Sequence, residues 1–470
     1  MTASFYWYDL ETSGTDPRWD RIVQFAGLRT DAELNPVGDE FVTDVVLADD
    51  VLPDPRASFV TGITPQRTHS GLPEWQAVER ILAALSVPGT CAAGYNSLRF
   101  DDEFIRFTLF RNLRDPYARE FRGGNSRWDL IDLVRAAGAL RPEGIEWPKD
   151  TEGWPVYRLE ELTRANGLEH GSAHDALSDV RATVDLARLI RKAQPKLFEY
   201  YLESRDKRTV RRLLEPFAQR ICVHVSGMYP KERYRVAPVI SLCRHPVNAN
   251  SIIVVDLGSD IEPLIRGDEA DLKKALFTAG SNEHPPLKEV RLNRCPFVAD
   301  ISVLTPTNLE RARIDMALVK SRKRRLSQPA ILQKIGQLFA DPRTSKAEDV
   351  DASLYDRFIQ DEDRARCDQF VQRMADGEWP VMDFRDKRLK ELVRRLKGRS
   401  FPATMDNAEQ AIWAEHVRER LSAEKVPWKT LYTFETEITN MRGEGLSPEL
   451  LDQLAAHARD IRTRYGITAS

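Results

Sequence analysis

Three short stretches of the chain place carboxylates where a protein could do metal chemistry. The first is Asp9-Leu10-Glu11-Thr12, at the end of the apolar run Ser4–Asp9. In an extended chain residues two apart share a face, so Asp9 and Glu11 can offer oxygens together, the ligands hard divalent cations take. The second is Asn96-Ser97-Leu98-Arg99-Phe100-Asp101-Asp102, just after another apolar run, Thr90–Gly94. Aspartate is favoured at a helix N-cap, and a carboxylate in a first turn can also face a metal. The third is His174-Asp175-Ala176-Leu177-Ser178-Asp179. On an ideal helix His174 and Asp179 lie about 140° apart and share no face; the conflict eases if His174 sits at or before the helix start. An imidazole titrates near neutrality and suits a proton-accepting role. Taken singly, each stretch has a plainer reading as a solvated pair, a helix cap or a packed histidine.

The elements that would carry these residues follow from periodicity. Ser4–Asp9, Ile22–Thr30 and Glu40–Leu47 read as strands, and Asp31, Asn35 and Pro36 suit a hairpin connection between the last two. Trp75–Leu85 reads as a helix, Thr90–Gly94 as a short strand, and Asp101–Leu113 as a helix with Phe104, Phe107, Leu109 and Phe110 at apolar positions. Arg158–Ala165 and Ala173–Ala193 read as two further helices. Three leading strands followed by alternating helices and strands predict a mixed α/β sheet, as in ribonuclease-H-like folds. After Pro195 the pattern turns β-rich, with Ile221–Ser226, Arg235–Leu242 and Ser251–Leu257 as strands; residues 309–340 turn helical. From about residue 348 the chain is strongly helical, as in Ala408–Leu421 and Pro448–Tyr465.

Composition narrows the function classes. The 470 residues are 42% hydrophobic and 30% charged, a globular balance that allows two or three domains. No apolar run reaches the roughly 18 residues of a membrane span, and the N-terminus lacks a signal-peptide pattern. Five scattered cysteines form no CxxC pair, which argues against a zinc site or disulfide framework and fits a cytoplasmic location. The net charge of -3 divides unevenly: -9 over residues 1–194, +10 over 195–347 and -4 over 348–470. A basic middle segment suits a polyanionic partner.

In combination the motifs are specific. DxE, then N-x3-F-D, then H-x4-D, each at an element boundary, resemble the DEDDh family of 3′→5′ exonucleases. The stretches TGITPQ (61–66), GYNSLRFDDEF (94–104), NSRWDLIDL (125–133), ALRPEGIEWP (139–148), RLEELTRANGLEH (158–170), HVSGMY (224–229) and ASLYDRF (352–358) carry the resemblance along nearly the whole chain. It implies that Asp9, Glu11, Asp101 and Asp179 organise two Mg2+ ions, with Mn2+ able to substitute. It implies that His174 is the general base and that Arg158 contacts the substrate phosphate, while Asp102 and Asp175 are neighbours of the set and not members. Arg106, Tyr117, Phe121 and Arg135 are candidate contacts to a single strand, because bases stack on aromatic faces and phosphates pair with arginine; core packing is the competing reading for Tyr117 and Phe121.

The expected activity is hydrolysis of single-stranded DNA from its 3′ end to nucleoside 5′-monophosphates, processively, in DNA repair or recombination. The expected architecture is an α/β ribonuclease-H-like nuclease domain at 1–194, a β-rich SH3-like domain at 195–347 and an all-helical C-terminal domain at 348–470, in a monomeric protein. The implied partners are single-stranded DNA and the acidic, apolar-ended C-terminal tail of the single-stranded DNA-binding protein. Arg141 and the cluster Lys320, Arg322, Lys323, Arg324 and Arg325 are candidate basic contacts for that tail. Two other readings stand beside this one: an exoribonuclease with the same carboxylates, which would need no 270-residue extension, and a catalytically silent single-strand-binding module.

Overall fold

The computed structural model describes residues 4–38, 40–168, 175–278, 284–340 and 346–468. The chain forms two compact units. One comprises residues 1–125, 170–181 and 345–470, the other 126–169 and 182–344. The C-terminal helices therefore share a unit with the N-terminal sheet, a grouping that sequence-order segmentation does not reveal.

The first unit is organised by its sheet. Strands β1 (Ser4–Thr12), β2 (Ile22–Thr30), β3 (Phe41–Val46), β4 (Leu72–Pro73) and β5 (Thr90–Gly94) lie in the order β4-β3-β2-β1-β5. β1 pairs antiparallel with β2 and parallel with β5, so the sheet is mixed, as expected. A strand with neighbours on both edges and cover on both faces reads as a continuous apolar run. β1 obeys this rule: Phe5, Tyr6, Trp7, Tyr8 and Leu10 are all buried. The helices Glu74–Leu85 and Asp101–Arg111 supply Val78, Ile81, Phe104, Ile105 and Leu109 to a core with Tyr8, Leu10 and Phe25. Each such side chain contributes roughly 1.5–3 kcal/mol on burial.

Helix Asp101–Arg111 is apolar on more than one side. Phe107 and Phe110 join a second core with Phe370, Leu389, Leu392 and Leu396 from the C-terminal helices Asp361–Ala375 and Lys387–Ser400. A buried ion network reinforces this join. Asp351 is fully buried and accepts from Arg21 at 2.8 Å and Arg399 at 2.6 Å; Arg399 also pairs with the buried Asp50 at 2.6 Å. Burial alone would raise the pKa of Asp50 and Asp351. The surrounding arginines, Arg399 foremost, outweigh it and hold both well below the usual carboxylate range.

The second unit begins with the short strand β6 (Ser126–Asp129) and contains a five-stranded antiparallel sheet. Its strands are β7 (Ile221–Val225), β8 (Val236–Arg244), β9 (Ser251–Asp256), β10 (Leu287–Arg291) and β11 (Phe297–Asp300), in the order β10-β9-β8-β7-β11. The first three fall where alternation places them; β10 and β11 lie in stretches that carry no clear strand pattern. Val223 and Val255 of this sheet are wholly buried, and Val210 and Leu214 of the helix Lys207–Leu214 pack on Val239, Val254 and Val298. The five cysteines form no disulfide with one another.

Candidate active site

The central strand delivers the first two carboxylates. Asp9 lies opposite Ala26 and Glu11 opposite Gln24, just before the ladder shifts register between Glu11 and Thr12. The side-chain oxygens of Asp9, Glu11 and Asp179 all lie within 4.8 Å of one another. Asp101, which is buried, is close enough to Asp9 to act on it electrostatically. Three carboxylates from two parts of the sequence thus converge, with Asp101 acting on one of them.

Local structure explains the convergence. At the end of β5, Gly94 makes room for the turn that follows: a Cβ there would lie 2.8 Å from the Ser97 Cβ and 2.9 Å from the Tyr8 carbonyl oxygen, closer than a side chain tolerates. Asn96 takes a left-handed φ of 63°, which asparagine accepts more readily than most residues. The amide of Asp102 donates to the Ser97 carbonyl at 2.9 Å, and the helix Asp101–Arg111 begins there. On the other side, Gln24 holds the start of the helix Ala176–Ala193. Its Oε1 accepts from the Ala176 amide at 3.3 Å, and its Nε2 donates to Asp44 at 2.9 Å. Gln24 pairs with Glu11 across the ladder, so one glutamine ties Asp179's helix to the strand of Glu11. No charge or motif marks Gln24 in the sequence.

The electrostatics call for a cation. Glu11 is pushed up to about 8, by burial first and then by Asp179 and Asp175, with Arg67 opposing. Asp9 is raised well above the usual range by burial and then by Asp101, Asp179 and Glu11. Buried carboxylates that also repel one another lack a counter-charge, and divalent ions, which take oxygen ligands, would supply it. The donor set fits magnesium or manganese.

The neighbouring acids have structural roles. Asp175 accepts from the Ser178 amide at 3.2 Å and its hydroxyl at 3.1 Å, a cap on the helix that carries Asp179. Asp102 is fully buried and accepts from the Tyr8 hydroxyl and Arg119. His174 lies outside the described residues.

The candidate strand contacts divide. Phe121 exposes 63% of its surface, as a stacking residue would. Arg158 precedes the helix Leu159–Ala165 in the second unit, with an exposed side chain paired to Glu161. Arg135, in the same unit, donates to Asp132 at 2.8 Å and is largely covered. Arg106 is the most enclosed of these. It is buried, forks onto Glu120 at 2.7 and 3.0 Å, donates to Glu103 at 2.9 Å and covers the ring of Tyr117. Those partners engage its guanidinium within the protein. Tyr117 itself stands edge-on to Phe358 at 6.0 Å, in line with the packing reading.

A mixed sheet whose central strand ends in two carboxylates, met by acids from two helix starts, defines a metal-dependent nuclease of the ribonuclease-H-like class. Family models described as Exonuclease, Exonuclease I SH3-like domain and Exonuclease I C-terminal domain match residues 6–187, 205–341 and 348–461. The exodeoxyribonuclease I of Escherichia coli (strain K12) is 41% identical over 431 residues, 90% of each chain. The crystal structure of E. coli exonuclease I in complex with a dA16 oligonucleotide superposes with a TM-score of 0.93 at 38% identity, covering 98% of this chain and 100% of that one. A structure of SSB/exonuclease I in complex with an inhibitor gives a TM-score of 0.89 at 38% identity, with the same coverage. The chain belongs to the exodeoxyribonuclease I family.

Proposed function

We infer that this protein hydrolyses single-stranded DNA from the 3′ end, releasing nucleoside 5′-monophosphates. The observation that carries the reading is the convergence of Asp9, Glu11 and Asp179 within 4.8 Å at the end of the central strand. Asp9, Glu11, Asp101 and Asp179 would hold two Mg2+ ions, with Mn2+ as a substitute. Bound there, such ions lower the pKa of an attacking water and stabilise the departing 3′ oxygen. The carboxylates themselves would hold the ions in place beside the phosphodiester. His174 would accept the proton of the attacking water, which adds typically 10²- to 10⁴-fold in rate.

Strand guidance would fall to Phe121 by stacking and to Arg158 and Arg135 by phosphate pairing. A single strand is preferred in this reading because stacking needs unpaired bases. The partner reading rests on the SSB complex of the relative and on basic material in the second unit. Lys320 and Arg324 are exposed on the helix Met316–Leu326. Arg141 donates to Asn308 and to the Val303 carbonyl, Arg322 to the Leu257 carbonyl, and Arg325 pairs with Glu262, so these three are partly engaged already. We place the acidic tail of the single-stranded DNA-binding protein on this basic surface, and the monomeric enzyme in cytoplasmic DNA repair.

The test is digestion of DNA labelled at either end, as single strand and as duplex, and of RNA, with Mg2+ and with EDTA. Release of 3′-label first, from single-stranded DNA and only with metal, is expected. Release of 5′-label first, or equal digestion of duplex, would refute the polarity and strand choice.

A further inference from the structure

Asp102 is adjacent to a metal-binding candidate yet faces the interior. It is fully buried, and one oxygen, Oδ1, accepts both the Tyr8 hydroxyl at 2.7 Å and a guanidinium nitrogen of Arg119. Tyr8 and Arg119 are themselves buried. The helix Asp101–Arg111 has Phe100 at its N-cap and no side-chain cap hydrogen bond, so Asp102 is not simply a cap that happens to be acidic. Tyr8 immediately precedes Asp9 on β1, and Asp102 immediately follows Asp101. A single buried contact, Tyr8 to Asp102, therefore joins the two backbone segments one residue from Asp9 and one from Asp101.

We propose that Asp102, held by Tyr8 and Arg119, is a positioning residue that sets the separation of the Asp9 and Asp101 carboxylates. Three features support this. The contact links strand to helix, the two elements whose relative placement fixes that separation. It is charge-assisted and excluded from water, where such bonds are strongest. Tyr8 is further fixed by stacking on Phe25 at 6.2 Å with the rings 10° from parallel, so the hydroxyl has little freedom to follow a moving helix. Carboxylates that share ions must be held within about half an ångström of their working positions, and the groups that orient ligands matter nearly as much as the ligands.

The proposal rests on the reading of Asp9, Glu11, Asp101 and Asp179 as a cation site. Its test uses the full-length protein stripped of metal, with Mn2+ as the probe and free Mn2+ measured by electron paramagnetic resonance. Tyr8→Phe removes one hydroxyl and no charge, and should fold like the parent, with an unfolding midpoint within a few degrees. It should bind Mn2+ about 10- to 100-fold more weakly. Its kcat should fall with KM for single-stranded DNA unchanged, and raised Mn2+ should restore part of the rate, which a merely structural lesion would not allow. Asp102→Asn should behave alike if it folds; if it does not, Tyr8→Phe decides. Asp9→Ala is the control for the site itself. If Asp9→Ala loses Mn2+ while folded Tyr8→Phe binds it within twofold of the parent, the positioning role is wrong and the site stands. If Asp9→Ala binds Mn2+ like the parent, the site reading fails and the positioning role falls with it.

Discussion

Glu11→Gln should make the metal-free protein more stable and the enzyme inactive, and the structure sets both the size and the pH dependence. Glu11 is 9% exposed, and its pKa rises from 4.5 to about 8, through burial first and then Asp179 and Asp175. A raised folded-state pKa means the native protein holds the proton more tightly than the unfolded chain. The contribution to stability is therefore fully present below about pH 4.5 and is lost as pH rises through 8. A tenfold change in proton affinity is worth about 1.4 kcal/mol, so the full span approaches 5 kcal/mol; relaxation and water entry reduce it, and roughly 2–4 kcal/mol is the expected penalty at pH 8.5. Glutamine carries no charge and escapes that penalty while keeping the shape. In EDTA, urea titrations at pH 4.5, 6.5 and 8.5 should show the two proteins equal at the lowest pH and Glu11→Gln ahead by that margin at the highest. Millimolar Mg2+ should close the gap by stabilising the parent, following RT ln(1 + [L]/Kd), with a weaker effect on the variant. A variant that is less stable than the parent at pH 8.5 in EDTA, or a gap that ignores pH, would refute the raised pKa that burial and its acidic neighbours give Glu11.

Two further outcomes follow from the packing and the surface. Asp351→Ala strips a buried carboxylate from Arg21, Arg399 and Arg395, and should cost about 3–5 kcal/mol by leaving buried arginines under-compensated; a urea midpoint unchanged from the parent would remove the network from the list of stabilising features. Because Asp351 has a depressed pKa in the folded state, its contribution is present above about pH 4 and lost as pH falls through the folded value. Phe121→Ala should raise KM for single-stranded DNA by the 1–3 kcal/mol of a lost stacking contact, about 5- to 150-fold, with kcat little changed and the folded stability unaffected. A KM within twofold of the parent would assign Phe121 no part in strand guidance.

The reach of the sequence depended on how local each signal was. β5 falls on Thr90–Gly94 as read, because five small and apolar residues between turn signals leave little choice. β1 runs on to Thr12, beyond the expected end at Asp9. The carboxylates do not break the strand because Glu11 still pairs with Gln24 across the ladder. The helix expected from Ala173 is described from Ala176, after the Asp175 cap. β10 and β11 are hard to read because they are five and four residues long, and β10 carries Lys288, Glu289 and Arg291; pairing with β9 and β7, not propensity, makes them strands.

The acids that converge were legible in the sequence, and their supports less so. Gln24 and Tyr8 act through contacts with residues remote in sequence, and nothing in their own neighbourhoods announces it. The ion partner of Arg106 is equally hidden. Glu120, fourteen residues on, takes both of its forked bonds, and no local pattern announces that pair. The regrouping of the C-terminal helices with the first sheet is likewise long-range. Its ion pairs join Arg21 to Asp351 and Asp50 to Arg399 across more than 300 residues.

The catalytic role proposed for the converging carboxylates is open to direct measurement. The most direct measurement is the rate of 5′-mononucleotide release from 3′-labelled single-stranded DNA by the parent and by Asp179→Ala, each titrated with Mg2+ and each confirmed as folded. The parent should be silent in EDTA and active with Mg2+, and Asp179→Ala should stay at the EDTA level at every Mg2+ concentration. Turnover by folded Asp179→Ala near that of the parent, or release by the parent in EDTA, would contradict the account.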